Sequence, residues 1–289
     1  MTAIKQDIVN ITYSNIVESV SLWNSTTNYL LGDLVRVGYY HYKSTYGALG
    51  TYNIGNNPLD TLDVDWVLWE PSNTYACLDL YSQTKTEWTG DGIIEFLRGT
   101  KNKIAIGNFI ARQVTVEYLD SSHNVLDEYT QIYNFSTNLY IYDEWDYAYA
   151  DFSDTFSEVI YKPLYLVGTT IRVTLTNNGN ATSLGYLVSG KAESFGTTYG
   201  DISQPDLRVG DTSINNATFD TYIEDFKHTR TVRRGKSLIN EPMLFIVDDT
   251  ENSVHNNIII LGKITKCEGV ASSYDRNTIA WTIEQNIIE

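Results

Sequence analysis

The chain has 289 residues, 42% of them hydrophobic and 19% charged, so it has room for two or three domains and can bury a core. Its formal net charge is −16, and no segment carries the basic stripe that neutralises nucleic-acid phosphates. Two cysteines, Cys77 and Cys267, cannot form a disulfide framework, which favours folding in the cytosol. Neither a signal segment nor an apolar run of about 18 residues is present, so we expect no membrane insertion.

Residues 1–70 are predicted to hold an N-terminal segment and a small β unit rich in aromatic residues. The unit begins near Trp23 and combines a Gly-Asp turn between two short strands with a Tyr-x-Ser strand, an Asn-Pro turn and a closing Trp. These features are carried by Tyr29, Gly32, Asp33, Tyr42, Pro58 and Trp66. Because so small a unit needs large side chains to be stable, we predict that its aromatic residues form a miniature core.

The same set of residues resembles the small chitin-binding modules of carbohydrate-binding families 5 and 12. The resemblance implies that exposed aromatic rings stack against sugars. The candidates for glycan stacking in this sequence are Trp23, Tyr46 and Trp69. Glycan binding by these rings is therefore the alternative to the purely structural interpretation of the module.

Residues 71–190 are predicted to form a β-sandwich. Their first segment contains Asp79, Thr86 and Trp88, and it resembles the start of discoidin-type, galactose-binding-like jelly rolls. We expect the Asp and Thr side chains to tie this loop to backbone amides, and the Trp to cover one end of the sandwich. Alternating apolar and polar residues at 113–118 and 170–176 then predict strands with one buried face.

The residues on both sides of Pro71 resemble those of virion structural proteins of tailed bacteriophages. The resemblance rests on the Tyr-x-Ser strand, the Gly-Asn-Asn-Pro turn at 55–58, the closing Trp66 and the run SNTYACLD at 72–79. It implies a component of the phage tail, baseplate or collar, assembled in the host cytoplasm in several copies, as a symmetric ring, with other virion proteins as partners. The alternative is a host-glycan adhesin of the tail or fibre.

The last third of the chain is divided by its composition. Residues 191–216 are rich in Gly, Ser and Thr and are predicted to be an extended arm or linker, and residues 217–289 a C-terminal β domain. The one basic concentration, at 226–234, is predicted to include an edge strand at 231–234. The residues predicted to contact another subunit are Phe195, Tyr199, Leu207, Arg230, Arg233 and Arg234.

No pattern in the chain indicates catalysis, a metal or a cofactor. The histidines His41, His123, His228 and His255 lie outside metal-binding spacings, and the G-x-S-x-G motif does not occur. Clustered carboxylates at 143–154 lack the spacing of a calcium loop and favour a solvated loop. Lytic or sialidase-like activity is the enzymatic alternative, but no motif supports it. The sequence therefore predicts an all-β, non-enzymatic protein: an aromatic module, a jelly-roll sandwich and a C-terminal β unit.

Overall fold

The computed structural model describes the chain except for residues 1, 8, 46–52, 82, 133–158, 162–168, 204–215, 224, 247–258, 274–275 and 286–289. The described residues form three antiparallel sheets, which confirms the predicted all-β class. Their helical parts are one α-helix and one 3₁₀ turn. None of the described helices combines the length and apolar character needed to cross a bilayer.

The elements are numbered here in chain order. The helices are α1 (Asp225–Ser237) and a 3₁₀ turn at Ala76–Leu78. The strands are β1 (Thr2–Gln6), β2 (Ile11–Ser14), β3 (Leu34–Val37), β4 (Tyr40–Ser44), β5 (Trp66–Pro71), β6 (Thr86–Trp88), β7 (Gly92–Leu97), β8 (Lys103–Ile110), β9 (Gln113–Leu119), β10 (Val125–Ile132), β11 (Val159–Tyr161), β12 (Thr170–Thr176), β13 (Thr182–Ser194), β14 (Thr197–Ser203), β15 (Asn216–Ile223), β16 (Pro242–Ile246), β17 (Ile259–Ser273) and β18 (Arg276–Gln285).

The sandwich packs a five-stranded sheet, in the order β10-β9-β12-β7-β2, against strands β6, β8 and β13 of a larger sheet. Alternation of apolar and polar residues directs every second side chain of β9 and β12 into the shared core. The side chains that these two strands place in the sandwich core are Val114, Val116, Tyr118, Ile171, Val173 and Leu175. The strands predicted from the alternating patterns are therefore confirmed.

The larger sheet continues beyond the sandwich in the order β11-β8-β13-β1-β16-β17-β18-β15-β14, with β6 also paired to β13. Strand β1 lies between β13 and β16, where Ile4 stands opposite Ala192 on one side and Leu244 on the other. The start of the chain, which the sequence analysis assigned to an N-terminal segment ahead of the small β unit, thus joins the sandwich to the C-terminal strands. Strand β2 likewise pairs with β7 of the sandwich.

The predicted edge strand at 231–234 is wrong, because these residues lie in helix α1. Four residues of alternating character are too few to distinguish a strand from a helix. The helical spacing becomes visible only with the following residues: Val232, Leu238 and Ile239 pack against the core of the C-terminal strands, and Gly235 is buried. Gly235 also permits close packing, because a Cβ there would lie 2.6 Å from Cys267 Sγ and 2.7 Å from Trp281.

Part of the predicted arm is ordered within the sheet. Strand β14 pairs with β15, and Tyr199 stands opposite Asp220 in that pairing. Phe195 is 1% exposed and packs edge-on against Trp281, with 5.2 Å between ring centroids. Since its side chain fills this chain's own core, Phe195 is not available for the predicted contact with another subunit. Leu207 lies outside the described residues.

Candidate functional site

The small module has its own core beneath the three-stranded sheet β3-β4-β5. Tyr29, Val35, Tyr42 and Trp66 are buried there, and Trp23 packs against them half-buried. Trp66 is fully buried and meets the ring of Tyr29 edge-on, with 5.3 Å between centroids. Its indole N–H donates to the carbonyl of Asn56 at 2.9 Å, so the largest side chain of the module is satisfied on its polar edge.

The Gly-Asp turn sets the start of this sheet. Gly32 has a φ of 91°, which favours glycine, and its N–H donates to the carbonyl of Ser44 at 2.8 Å. The Asp33 carboxylate accepts the N–H of Leu30 at 2.7 Å. On the far side of the module, Pro58 is buried beside the turn that leads to Trp66. The turn residues therefore hold the strands that enclose the miniature core.

One side of the small sheet carries a group of side chains that we call the platform: Leu34, Lys43, Val67 and Trp69. Leu34, Lys43 and Val67 stand opposite one another across the three strands. The Lys43 ammonium lies 4.0 Å from the centroid of the Trp69 ring, a cation–π distance. Leu34 is 37% exposed and Trp69 51% exposed, so the platform faces solvent.

Exposed large hydrophobic side chains are concentrated in this module. Isolated examples are normal on any soluble protein, but such a concentration is typical of an interaction surface. Within the described residues of the small module, they are Leu22, Leu30, Leu31, Leu34, Tyr39, Tyr40, Ile54, Leu59, Leu62, Val64, Leu68 and Trp69. The rest of the described chain exposes seven large hydrophobic side chains, although it is several times longer.

The module is fastened to the sandwich by the Glu18 carboxylate. This group accepts hydrogen bonds from the hydroxyl of Thr74, from its N–H at 2.9 Å, and from the N–H of Asn73 at 3.2 Å. Burial acts to raise the pKa of Glu18, but these hydrogen bonds and the charge of Arg36 outweigh it and lower the pKa below 4.5. The carboxylate is therefore held in its charged form.

Two further contacts close the junction between module and sandwich. The rings of Tyr39 and Tyr75 stack with 3.4 Å between centroids, and burial raises the pKa of Tyr75. His41 is 3% exposed, with Nδ1 3.2 Å from Glu70 Oε1 and Nε2 3.7 Å from Glu18 Oε2. The imidazole of His41, on strand β4, thus lies between two carboxylates at the junction.

A cleft of about 910 Å³ opens at this junction, between the small module and one end of the sandwich. Its charged lining residues are Glu70, Glu87, Asp91, Lys85 and His41. Three carboxylates in this lining face one lysine ammonium group, so carboxylates are in excess and the cleft is acidic. We call it the junction cleft.

The residues that begin the sandwich behave as the motif predicts. The Thr86 hydroxyl accepts the N–H of Cys77 at 3.0 Å and donates to the carbonyl of Asn73 at 2.7 Å. The Asp79 carboxylate accepts the N–H of Tyr81 at 2.9 Å. Trp88 is 5% exposed and fills one end of the core. Of these residues, Trp88 lines the junction cleft from the sandwich side.

The predicted glycan-stacking residues differ in their exposure. Trp23 is half-buried, Trp69 is exposed, and Tyr46 lies outside the described residues. Of the predicted basic contact residues, Arg233 is exposed and Arg234 pairs with Glu193, while Arg230 lies in α1. Among the described residues no group of three or more His, Cys, Asp or Glu side chains is placed to hold a metal ion. The acidic residues at 143–154 lie outside the described part.

Sequence reasoning did not find the junction cleft or the role of Glu18. The residues of the cleft come from segments that are far apart in the chain, and the motifs to which Asn73 and Trp88 belong carry no signal for a cleft. Glu18 is an isolated acidic residue in a polar segment, so its sequence context carries no signal for the contact with residues 73 and 74.

The chain matches no protein-family model and no curated protein. Among solved structures, it resembles a lectin domain of lectinolysin complexed with Lewis b antigen, with 12% identity over 41% of this chain and 83% of that one. A histidine mutant of the lectin-binding domain of the same protein, also complexed with Lewis b, has 11% identity over 40% of this chain and 82% of that one. Both have a TM-score of 0.29.

Proposed function

We propose that this chain is a non-enzymatic structural component of a tailed-phage particle, present in several copies in the tail, baseplate or collar. The proposal is carried by the concentration of exposed hydrophobic side chains on a small module that is fastened to a large β framework. The resemblance of residues 42–79 to phage virion proteins supports it from the sequence side. The module presents the contact surface, and the sheets hold that surface in place.

Physical reasons favour the platform as the assembly contact. With a net charge of −16, the protein repels acidic neighbours at long range, which keeps it soluble before assembly. A contact made by Leu34, Val67 and Trp69 gains free energy from apolar burial, which needs no opposite charge. Trp is also among the residues that contribute most to binding at interfaces.

The attachment of the module suits a contact that transmits force. Glu18 joins the N-terminal segment to residues 73 and 74, and the Ser72 N–H donates to the Tyr39 carbonyl at 2.8 Å. The side-chain amide of Asn73 in turn donates from Nδ2 to the carbonyl of Glu87 at 2.8 Å. Its Oδ1 accepts the N–H of Glu87 at 2.7 Å. Residues 72–74 are therefore held by Glu18 and Tyr39 on one side and, through Asn73, by the backbone of Glu87 on the other.

The experiment is incorporation into particles. The tagged full chain is produced in host cells infected by the phage that encodes it. The phage particles are then purified and probed for the tag. We expect the wild type to be present, and a Leu34→Ser/Trp69→Ser variant to melt at nearly the wild-type temperature and to be lost from particles. The matched control is Val125→Ser/Leu126→Ser, which removes two side chains of similar exposure, 48% and 47%, from β10. Absence of the wild-type chain from purified particles would overturn the proposal.

The second candidate is a host-glycan adhesin of the tail or fibre, and the exposed Trp69 favours it. A flat indole at 51% exposure beside an ammonium group offers a sugar both a stacking face and a donor. Under this function, the full chain binds glycans on an array, and Trp69→Ala loses that binding while its incorporation into particles stays normal. The loss of incorporation by the platform variant points instead to assembly.

A further inference from the structure

The basic residues of the chain are concentrated at one place. Residues 226–240 contain no acidic side chain, in a protein with 36 acidic and 20 basic residues. In the described end of α1, Arg233 and Lys236 are exposed and have no ion-pair partner among the described residues, and Arg234 pairs with Glu193. Although Val232 and Gly235 pack inward, the Arg233 and Lys236 side chains remain exposed to solvent. We call residues 233–236 the basic helix end.

The junction cleft has the opposite charge and unused hydrogen-bonding groups. Glu70, Glu87 and Asp91 outnumber Lys85 in its lining. Two more of its lining residues, Trp88 and Ser183, are each 5% exposed, and each keeps a side-chain polar atom with no hydrogen-bond partner in the described structure. Buried polar atoms without partners are uncommon in a folded protein, which suggests that this end of the sandwich is completed by another molecule.

Strand β13 shows why the helix end does not fill the cleft of its own chain. Thr182, its first residue, lines the junction cleft, and Glu193, near its last, binds Arg234 of the basic helix end. A strand rises about 3.3 Å per residue, so the two features lie roughly 35 Å apart along one extended element. A contact between them therefore joins two copies.

We propose that copies of this chain associate head to tail, with the basic helix end of one copy docked in the junction cleft of the next. The inference rests on the proposed function, whose arrangement in several copies it specifies. The opposite charges of the two surfaces favour this orientation over one in which two junction clefts meet, because like charges would then face each other. The contact uses two different surfaces of the chain, so repetition closes a ring when the rotation permits and extends a filament when it does not.

The test is a reciprocal charge reversal followed by analytical ultracentrifugation of the full chain. The helix variant is Arg233→Glu/Lys236→Glu, and the cleft variant is Glu87→Lys/Asp91→Lys. We expect each variant alone to self-associate at least about tenfold more weakly than the wild type, since like charges now meet. In an equimolar mixture, each helix end meets a cleft of opposite charge, and association should return. The matched control, Lys263→Glu/Lys266→Glu on β17, has the same change in net charge as the helix variant and should associate like the wild type.

The outcomes separate this inference from the proposed function. If both variants fold with wild-type melting temperatures and their mixture stays monomeric while the wild type associates, the head-to-tail contact is wrong and another surface joins the copies. A wild-type chain that stays monomeric but binds free arginine in the cleft would make the cleft a small-molecule site, and this also overturns the inference. Neither result contradicts the proposed function, because that function is tested by incorporation into particles, which is a separate measurement.

Discussion

At the scale of single residues, Trp66 and Trp69 show how position on a strand decides what an aromatic side chain does. Both lie on β5, yet Trp66 is fully buried and Trp69 is 51% exposed. The register shifts between His41 and Tyr42, which stand opposite Glu70 and Leu68, so Trp69 is the extra residue of a bulge. Because side chains alternate along a strand, Trp69 lies on the face opposite to that of Trp66, where its indole meets Lys43 and solvent. Identical side chains thus serve the core and the surface of one module.

We predict that Trp66→Ala destabilises the small module by about 3–5 kcal/mol, the usual cost of removing a buried Trp. The control, Trp69→Ala, should cost about 1 kcal/mol or less, because the ring is half-exposed. Urea unfolding followed by circular dichroism measures both. Equal losses of stability in the two variants would show that the module does not depend on its miniature core.

At the scale of elements, the junction between the module and the sandwich depends on a charged carboxylate. Glu18 has its pKa lowered in the folded protein, from 4.5, by the hydrogen bonds of residues 73 and 74 and by Arg36, against the opposing effect of burial. A group with a lowered folded-state pKa contributes stability above its unfolded-state pKa, and this contribution is lost as the pH falls through the folded-state value. The junction is therefore an acid-sensitive element.

We predict that the wild type exceeds Glu18→Gln in stability at neutral pH, and that the difference shrinks as the pH falls below 4.5. Glutamine keeps the size of the side chain and an oxygen acceptor but does not titrate, so the difference isolates the carboxylate. Thermal melting of both proteins over a pH series measures it. A difference that stays constant down to strongly acidic pH contradicts this role of Glu18.

Helix α1 shows at the same scale why a short pattern is ambiguous. Thr231, Val232 and two arginines are compatible with a strand, and β-branched residues favour one. The chain instead forms a helix whose buried side rests on β17 and β18, because Val232, Gly235 and the residues after them then fit against Trp281. Burial against a completed sheet outweighs the weak local preference.

At the scale of the whole molecule, β1 is the element that makes one framework of two predicted domains. It pairs with β13 of the sandwich and with β16 of the C-terminal strands, and Ile4 at its centre is fully buried. Gly190 permits the close approach of β13, because a side chain there would collide with the backbone of Lys5. The sandwich and the C-terminal strands thus share backbone hydrogen bonds through a segment that comes first in the chain.

We predict that Ile4→Ala lowers the stability of the sandwich and the C-terminal strands together, by about 2–5 kcal/mol, because it leaves a cavity in the joint. Differential scanning calorimetry should show one shifted transition for both. The small module, with its separate core, should keep its own transition, and Trp66→Ala should shift only that one. Independent transitions for the sandwich and the C-terminal strands would contradict a joint framework.

By itself, the sequence determined the elements whose signals are local. Alternation over six or seven residues identified β9 and β12, because a strand with one buried face must repeat with a period of two. The aromatic residues and turn residues at 21–70 indicated a small β unit, since so small a unit needs large side chains to fill its core. The position of Thr86 and Trp88 at the start of the sandwich was also predicted, from the motif to which they belong.

Only the tertiary structure decided which strands pair and which surfaces meet. The partners of β1 lie more than 180 residues away, and the junction cleft combines residues 15–19, 70–91 and 181–183. Phe195 and helix α1 take their places against Trp281, which no pattern near either of them predicts. Such contacts depend on the free energy of burying surfaces from the whole chain, whereas sequence periodicity reports only the preferences of neighbouring residues.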